Sequence, residues 1–227
     1  LFVYASHLAE DFEVARSFGW TVGNTGFHWR RLIENKDAEI KRLNGAYQKI
    51  LDSAGVTTIT GRATLLDDHT IRINGKTCTA ERILIATGGW PSVPDLPGTE
   101  HAITSNEAFH LDTLPERILI VGGGYIAVEF ACIFHGLGVE TTLVYRGPLF
   151  LRGFDLDLRV MLAEEMRRKG IELLFNTNVT GITKTDAGLK IQLTTGQHLV
   201  TNTVMFATGR RPNTAGFGLE KAGVRLN

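Results

Sequence analysis

The residues of this sequence whose types and spacing could do chemistry are a run of glycines and a pair of arginines that follows it. Gly122-Gly123-Gly124-Tyr125-Ile126-Ala127 fits the pattern G-x-G-x-x-A. In that pattern Gly122 makes the tight turn, Gly124 lets a pyrophosphate approach the backbone, and Ala127 lets a helix pack closely on a strand. A helix opening at this point aims unpaired N–H groups and its positive dipole end at the anion. Arg146 and Arg152 come next, flanking a Gly147-Pro148 turn. Guanidinium groups bind phosphate bidentately, and a carboxylate at the same place would repel it, so the pair suits the 2′-phosphate of NADPH better than the bare ribose of NADH. The nearest acid, Glu140, falls at the wrong end of the segment. The competing reading makes both arginines ordinary solvated charges.

Elements of the right kind surround these residues. Ile118-Leu119-Ile120-Val121 reads as a strand buried on both faces of a parallel sheet. The run from Val128 to His135 has helical periodicity, and Thr141 to Arg146 reads as a second strand, which completes a βαβ unit. A plain glycine turn is the structural alternative, and strand, turn and helix in that order argue against it. A membrane span from Ile118 to Phe134 is too short, holds three glycines and carries Glu129.

The 227 residues are 43% hydrophobic and 21% charged, with a formal net charge of zero, enough for one large or two modest cores. Zero net charge gives no reason to expect nucleic acid or an anionic membrane as partner. The two cysteines, Cys78 and Cys132, form no C-x-x-C or metal-type spacing and read as buried free thiols. Seven scattered histidines without a cysteine or carboxylate companion at ligand spacing assign no metal. The sequence opens on Leu1-Phe2-Val3 without a signal-peptide pattern and reads as a segment of something longer.

Along the chain, a helix is expected over Leu1–Ala15, beginning without a cap, and a long surface helix over Trp29–Ala54 with a single apolar stripe. Short strands follow at Val56–Leu65, Thr70–Ile73, around Cys78 and at Arg82–Ala86, broken at Asp67-Asp68 and Asn74-Gly75. The last ends in Ala86-Thr87-Gly88-Gly89, and Pro91, Pro94 and Pro97 then make an extended connector, the clearest domain boundary. Asp155 caps a helix over Leu156–Lys169 that Gly170 stops, with Glu164 and Glu165 one turn before Arg168 and Lys169. Strands are expected at Glu172–Phe175, Val179–Thr183, Leu189–Leu193, His198–Val200 and Thr203–Phe206. The last ends in Ala207-Thr208-Gly209-Arg210, a near copy of the earlier turn.

Taken together, Ala86-Thr87-Gly88-Gly89, Ser105-Asn106-Glu107-Ala108-Phe109, the glycine run through Glu129, Tyr145-Arg146, Leu151-Arg152-Gly153-Phe154-Asp155 and Ala207-Thr208-Gly209-Arg210 resemble the glutathione reductase family of flavoprotein disulfide reductases. The resemblance covers essentially the whole chain. It implies an α/β fold in which a Rossmann-like NADPH domain (90–211) is inserted into a partial FAD-binding domain (1–89, resuming at 212–227). It implies FAD and NADPH as cofactors, glutathione disulfide as substrate, and a cytoplasmic homodimeric parent. By the same resemblance, Arg146 and Arg152 match the 2′-phosphate pair, and Tyr125 matches the aromatic gate over the nicotinamide. Glu129 matches the carboxylate lining that pocket, and Gly123, Ile126 and Gly209 match further NADPH contacts. Ala63, Thr87 and Gly88 fall where the family touches FAD, and Tyr47 where it touches glutathione disulfide. Read from the residues alone, Tyr125 and Glu129 could equally be a core aromatic and a buried carboxylate sharing one helix face.

The family's redox cysteine pair, its N-terminal FAD fingerprint and its dimer domain with the catalytic histidine are absent from this sequence, so no catalytic residue is assigned and the chain alone is expected to be inactive. Trypanothione reductase is the nearest alternative, on Tyr145-Arg146-Gly147 and the Leu-Arg-Gly-Phe-Asp run; the short Gly136-Leu137-Gly138 link argues against its usual insertion. Dihydrolipoamide dehydrogenase generally has an acid where Arg146 stands. A nucleotide-binding module without turnover is the reading from another class.

Overall fold

Helical periodicity at the N-terminus becomes α1 (Phe2–Ser17) and α2 (Trp29–Ser53) in the computed structural model, which describes residues 1–226. Strands β1 (Ala63–Leu65), β2 (Thr70–Ile73), β3 (Lys76–Thr79) and β4 (Gly89–Pro91) follow, then the short helix α3 (Ser105–Ala108). Next come β5 (Arg117–Val121), α4 (Tyr125–Gly136), β6 (Glu140–Tyr145), α5 (Leu156–Lys169) and β7 (Glu172–Phe175). The last elements are β8 (Val179–Thr185), β9 (Gly188–Leu193), β10 (His198–Thr201), β11 (Thr203–Phe206) and β12 (Arg210–Pro212).

The chain divides into two units. One joins Leu1–Asp37 to Pro91–Gly209, and the other joins Ala38–Trp90 to the segment from Arg210. Residues 1–37, grouped from sequence with the first strands, pack here with the glycine-bearing segment because their large aromatics bury there. Phe2 lies against Trp29 and Phe109, with ring centroids 5.3 and 5.5 Å apart, and Ile133 of α4 completes that cluster. The Trp29 indole donates to the Leu111 carbonyl at 2.7 Å. The buried Lys36 donates to the Phe109 carbonyl at 2.8 Å and pairs with Asp37 at 2.6 Å, so its charge is satisfied.

At the centre of the first unit is a parallel sheet of order β11-β5-β6-β7. Its strands end level: Val121 stands opposite both Phe206 and Val144, and Tyr145 opposite Phe175. Alternate residues of β5 go to opposite faces. Ile118 and Ile120 pack with Val128 and Phe134 of α4 and Ala163 and Met166 of α5. Leu119 and Val121 pack with Ile182 and Ile191 of an antiparallel sheet of order β10-β9-β8. Because both faces are covered, the strand reads as an unbroken apolar run. The chain winds from β5 through β6 to β7 on one side and then returns to place β11 on the other. The carboxyl ends of β5 and β11 therefore form the switch point, where open α/β sheets bind ligands.

The second unit is built on a three-stranded antiparallel sheet, β1-β2-β3. Asn74 and Gly75 turn its β2–β3 hairpin with φ of 51° and 79°, the left-handed pair that a two-residue turn requires. Two expectations fail here. Only Ala63–Leu65 of the Val56–Leu65 run is a strand, and Arg82–Ala86 is not a strand at all. A strand exists only with a ladder partner, and none of the described residues pairs with Arg82–Ala86; Leu84 is left 90% exposed. The cysteines are also less buried than expected. Both are free and half-buried, Cys78 because β3 is an edge strand and Cys132 because it lies at the rim of the α4 packing face.

Candidate functional site

At the carboxyl end of β5 the glycine turn is fixed by its neighbours. Gly122 donates its N–H to the Val144 carbonyl at 2.9 Å, and Ala207, just past β11, donates to the Val121 carbonyl at 2.8 Å. A Cβ on Gly122 would come within 2.4 Å of the Ala207 oxygen, so only glycine fits between these two strand ends. A Cβ on Gly123 would lie 2.3 Å from Cε2 of Tyr145. Gly124 differs from both: nothing stands within 4 Å of a Cβ there, and its φ is −89°. No packing among the described residues explains a glycine at position 124, whereas a ligand lying against the backbone would.

Helix α4 starts immediately beyond, with Gly124 at its N-cap and no side chain bonded to its first N–H groups. The first N–H groups therefore keep their hydrogen-bonding capacity, at the positive end of the helix dipole and beside the open space at Gly124. Ala127 is fully buried against the sheet and Ile126 is half-buried beside it. Tyr125 is 58% exposed and Glu129, one turn on, is also exposed. Neither is buried among the described residues, so within this chain the pair is not a core aromatic and a buried carboxylate.

Beyond β6 the chain makes a loop that folds back on the glycine turn. Leu151 N–H donates to the Gly123 carbonyl at 2.6 Å, with Leu151 itself at a φ of 55°. Arg159, in the first turns of α5, braces the loop from below, donating to the Phe150 carbonyl at 2.7 Å and the Leu149 carbonyl at 2.8 Å. Asp155 caps α5 as expected, accepting from Asp157 N–H at 3.0 Å and Leu158 N–H at 3.3 Å. The loop leaves Arg146 and Arg152 exposed, and neither forms an ion pair among the described residues. Gly209 follows Ala207 by two residues, at a φ of 135° with open space where a Cβ would be; its carbonyl accepts from Ser92 N–H at 2.9 Å.

Gly122 to Ala127, Glu129, Arg146, Arg152 and Gly209 are thus carried by elements meeting at one end of the parallel sheet. Sequence reasoning missed three groups that hold them: Ala207, Tyr145 and Arg159. Only Tyr145 had a visible signal, an aromatic at the strand end beside Arg146. The other candidates belong to the second unit. Thr87 donates its hydroxyl to the Asn213 carbonyl at 2.6 Å, and Asn213 N–H donates to the Gly88 carbonyl at 2.9 Å, leaving Gly88 at a φ of 70° with open space around it. Ala63 is half-buried in β1 and Tyr47 is exposed on α2. No hydrogen bond among the described residues links either to the Thr87 turn. Among the described residues no group of three or more His, Cys, Asp or Glu side chains could hold a metal ion, and no helix is long and apolar enough to cross a membrane.

The fold defines a class: α/β proteins whose parallel sheet presents a glycine turn and a free helix N-terminus at its switch point, the arrangement that suits a dinucleotide. The family model for pyridine nucleotide-disulphide oxidoreductases matches residues 4–227, and the chain belongs to that family. It is 45% identical over 226 residues to a glutathione reductase of Nostoc sp., covering 99% of this chain and 49% of the relative. It is 44% identical over 228 residues to the chloroplastic/mitochondrial glutathione reductase of Pisum sativum, covering 100% of this chain and 41% of that protein. Among solved structures it is similar to the HOCl-induced flavoprotein disulfide reductase RclA from Escherichia coli. That match has a TM-score of 0.83 at 27% identity and covers 99% of this chain and 50% of the other. The chain spans about half the length of the curated relatives it matches.

Proposed function

We propose that this chain supplies the NADPH site and part of the FAD site of a disulfide oxidoreductase that, as a whole protein, reduces glutathione disulfide. One observation carries the reading: two exposed arginines, with no ion-pair partner among the described residues, stand on the loop that closes over a helix N-terminus without a side-chain cap. When bound, NADPH would supply the hydride and FAD would pass the electron pair on to a cysteine disulfide, giving the dithiol that reduces the substrate by thiol–disulfide exchange.

Within this chain the N–H groups of Gly124 and the first turn of α4 hold the pyrophosphate, with Gly122 and Gly123 shaping the turn and Ala127 seating the helix. Arg146 and Arg152 grip the 2′-phosphate. Tyr125 and Glu129 border the nicotinamide, with Ile126 and Gly209 as further contacts. In the second unit Ala63, Thr87 and Gly88 contribute to the FAD site and Tyr47 to the disulfide site. Residues 90–211 are read as the NADPH domain and 1–89 with 212–227 as portions of the FAD domain, residues 1–37 of that portion packing with the NADPH domain. The groups present fit NADPH on their own chemistry: free N–H donors, a backbone surface with no Cβ, and unneutralised guanidinium groups. The fit to FAD is partial, resting on the open Gly88 turn. The whole protein is read as a cytoplasmic homodimer on the family resemblance.

Isothermal calorimetry on this chain tests the reading. NADPH binds more tightly than NADH, and Arg146→Ala weakens NADPH roughly tenfold to a hundredfold, the range for a hydrogen bond to a charged group, while leaving NADH nearly unchanged. Equal affinities of the unaltered chain for the two nucleotides overturn it.

A further inference from the structure

Each of the two arginines directly follows a residue that touches Gly123. Tyr145 precedes Arg146, and its ring occupies the space beside Gly123, so that a Cβ at that glycine would lie 2.3 Å from Cε2 and 2.4 Å from Cδ2. Leu151 precedes Arg152, and its N–H is bonded to the Gly123 carbonyl at 2.6 Å. The ring is confined from its other edge too, since a Cβ at Gly147 would lie 2.7 Å from Cε1 and 3.1 Å from the hydroxyl oxygen. One aromatic ring therefore sits between the glycine turn and the start of the arginine loop, with a glycine against each edge.

The surroundings make this contact rigid. The Tyr145 carbonyl accepts from Thr177 N–H at 3.1 Å, the Gly147 carbonyl accepts from Asn176 N–H at 3.0 Å, and Tyr145 packs against the core that includes Phe150. Leu151 holds a left-handed φ of 55°, a conformation a leucine keeps only where its surroundings fix it. A residue merely filling core space would not require glycines at both 123 and 147.

We infer that Tyr145 is a positioning and specificity-determining residue: its ring, clasped between Gly123 and Gly147, sets the distance between the pyrophosphate turn and the Arg146–Arg152 loop, and so the preference for a 2′-phosphorylated nucleotide. The inference rests on the NADPH reading proposed above. It goes further by assigning discrimination to a side chain that need not touch the phosphate. Removing the ring frees the loop from the turn: the arginines lose their preset position and the 2′-phosphate contributes less, while the helix N-terminus that meets the pyrophosphate stays as it was. Removing the hydroxyl alone leaves the clasp intact, because the contacts to Gly123 are made by ring carbons.

The test measures NADPH and NADH affinities of the 227-residue chain by calorimetry for the unaltered protein, Tyr145→Phe, Tyr145→Leu and Gly147→Ala. Tyr145→Phe keeps the NADPH preference. Tyr145→Leu lowers it by roughly tenfold, within the range for groups in direct contact, with NADH affinity little changed. Gly147→Ala, whose methyl displaces the ring from the opposite edge, lowers it in the same direction and guards against a misfolded leucine variant. If the unaltered chain shows no preference, the NADPH reading itself has failed. If it shows one and Tyr145→Leu and Gly147→Ala both keep it, or if Tyr145→Phe loses it as fully as Tyr145→Leu, the clasp is refuted.

Discussion

Gly122 and Gly124 are two residues apart in one motif, yet the structure demands opposite outcomes when each becomes alanine. At Gly122 the new methyl falls 2.4 Å from the Ala207 oxygen and 2.9 Å from its carbonyl carbon. That backbone cannot retreat, because Ala207 N–H is bonded to Val121 and the preceding residue, Phe206, is laddered to β5. Relief must come from prying apart the ends of β5 and β11. Overpacking of this kind costs about 1–3 kcal/mol, and the φ of 151°, which alanine tolerates poorly, adds to it. At Gly124 the φ of −89° is ordinary and the space is open, so the gain of roughly 0.4–1 kcal/mol from restricting the unfolded chain about offsets what alanine loses as the poorer N-cap, and stability stays near that of the unaltered chain. The two variants should thus differ by about 2–4 kcal/mol, which at roughly 2–3 kcal/mol per molar urea separates their unfolding midpoints by about 1 M. Equilibrium urea unfolding followed by circular dichroism reads this directly, and calorimetry with NADPH gives the second half. Gly124→Ala, folded and about as stable as the unaltered chain, should bind NADPH at least about tenfold more weakly, because its methyl projects where the pyrophosphate must approach. Coincident midpoints would refute the packing argument for Gly122. Unchanged NADPH affinity in Gly124→Ala would refute the assignment of open backbone to the ligand.

Two further outcomes are tied to titrating groups. The Glu107 carboxylate accepts from the Thr104 hydroxyl at 2.6 Å and the Thr104 N–H at 2.7 Å in the capping box of α3, and these bonds hold its pKa below the usual carboxylate range. A lowered folded-state pKa contributes stability that is present above the ordinary carboxylate pKa and lost as pH falls through the folded value. Thermal melts of the unaltered chain should therefore decline more steeply than those of Glu107→Gln on going from neutral to acid pH, and parallel declines would show that the box contributes nothing. Cys132 is half-buried, and desolvation raises its thiol pKa. Its alkylation by iodoacetamide, followed by peptide mass spectrometry, should stay slow at neutral pH and climb only above the pH at which an ordinary thiol ionises; rapid labelling at pH 7 would contradict the burial.

What could be read from sequence follows from how local each signal is. A strand covered on both faces is apolar without interruption, so Ile118–Val121 announced itself, and Glu172–Phe175 and Thr203–Phe206 came out with the ends the structure gives them. The Asp155 cap and the left-handed Gly170 that closes α5 are likewise properties of a few adjacent residues. Arg82–Ala86 has an equally good strand pattern and no ladder among the described residues, because pattern describes a side-chain face while a strand also needs another backbone to bond. The destination of Leu1–Asp37 was hidden for a related reason: Phe2 and Trp29 are apolar in any reading, and only the three-dimensional neighbourhood of Phe109 and Ile133 tells where that apolarity is buried. The candidate site divides along the same line. Gly122, Gly124 and Arg146 occupy fixed offsets in one βαβ unit and could be found by counting. The contacts that orient them cross 22 to 85 positions: from Gly123 to Tyr145 at the near end, from Gly122 to Ala207 at the far one. Spacing can nominate groups that would meet a phosphate, but the residues that hold those groups apart at the right distance are set by how loops close, and a leucine turned to a φ of 55° leaves no mark in the sequence.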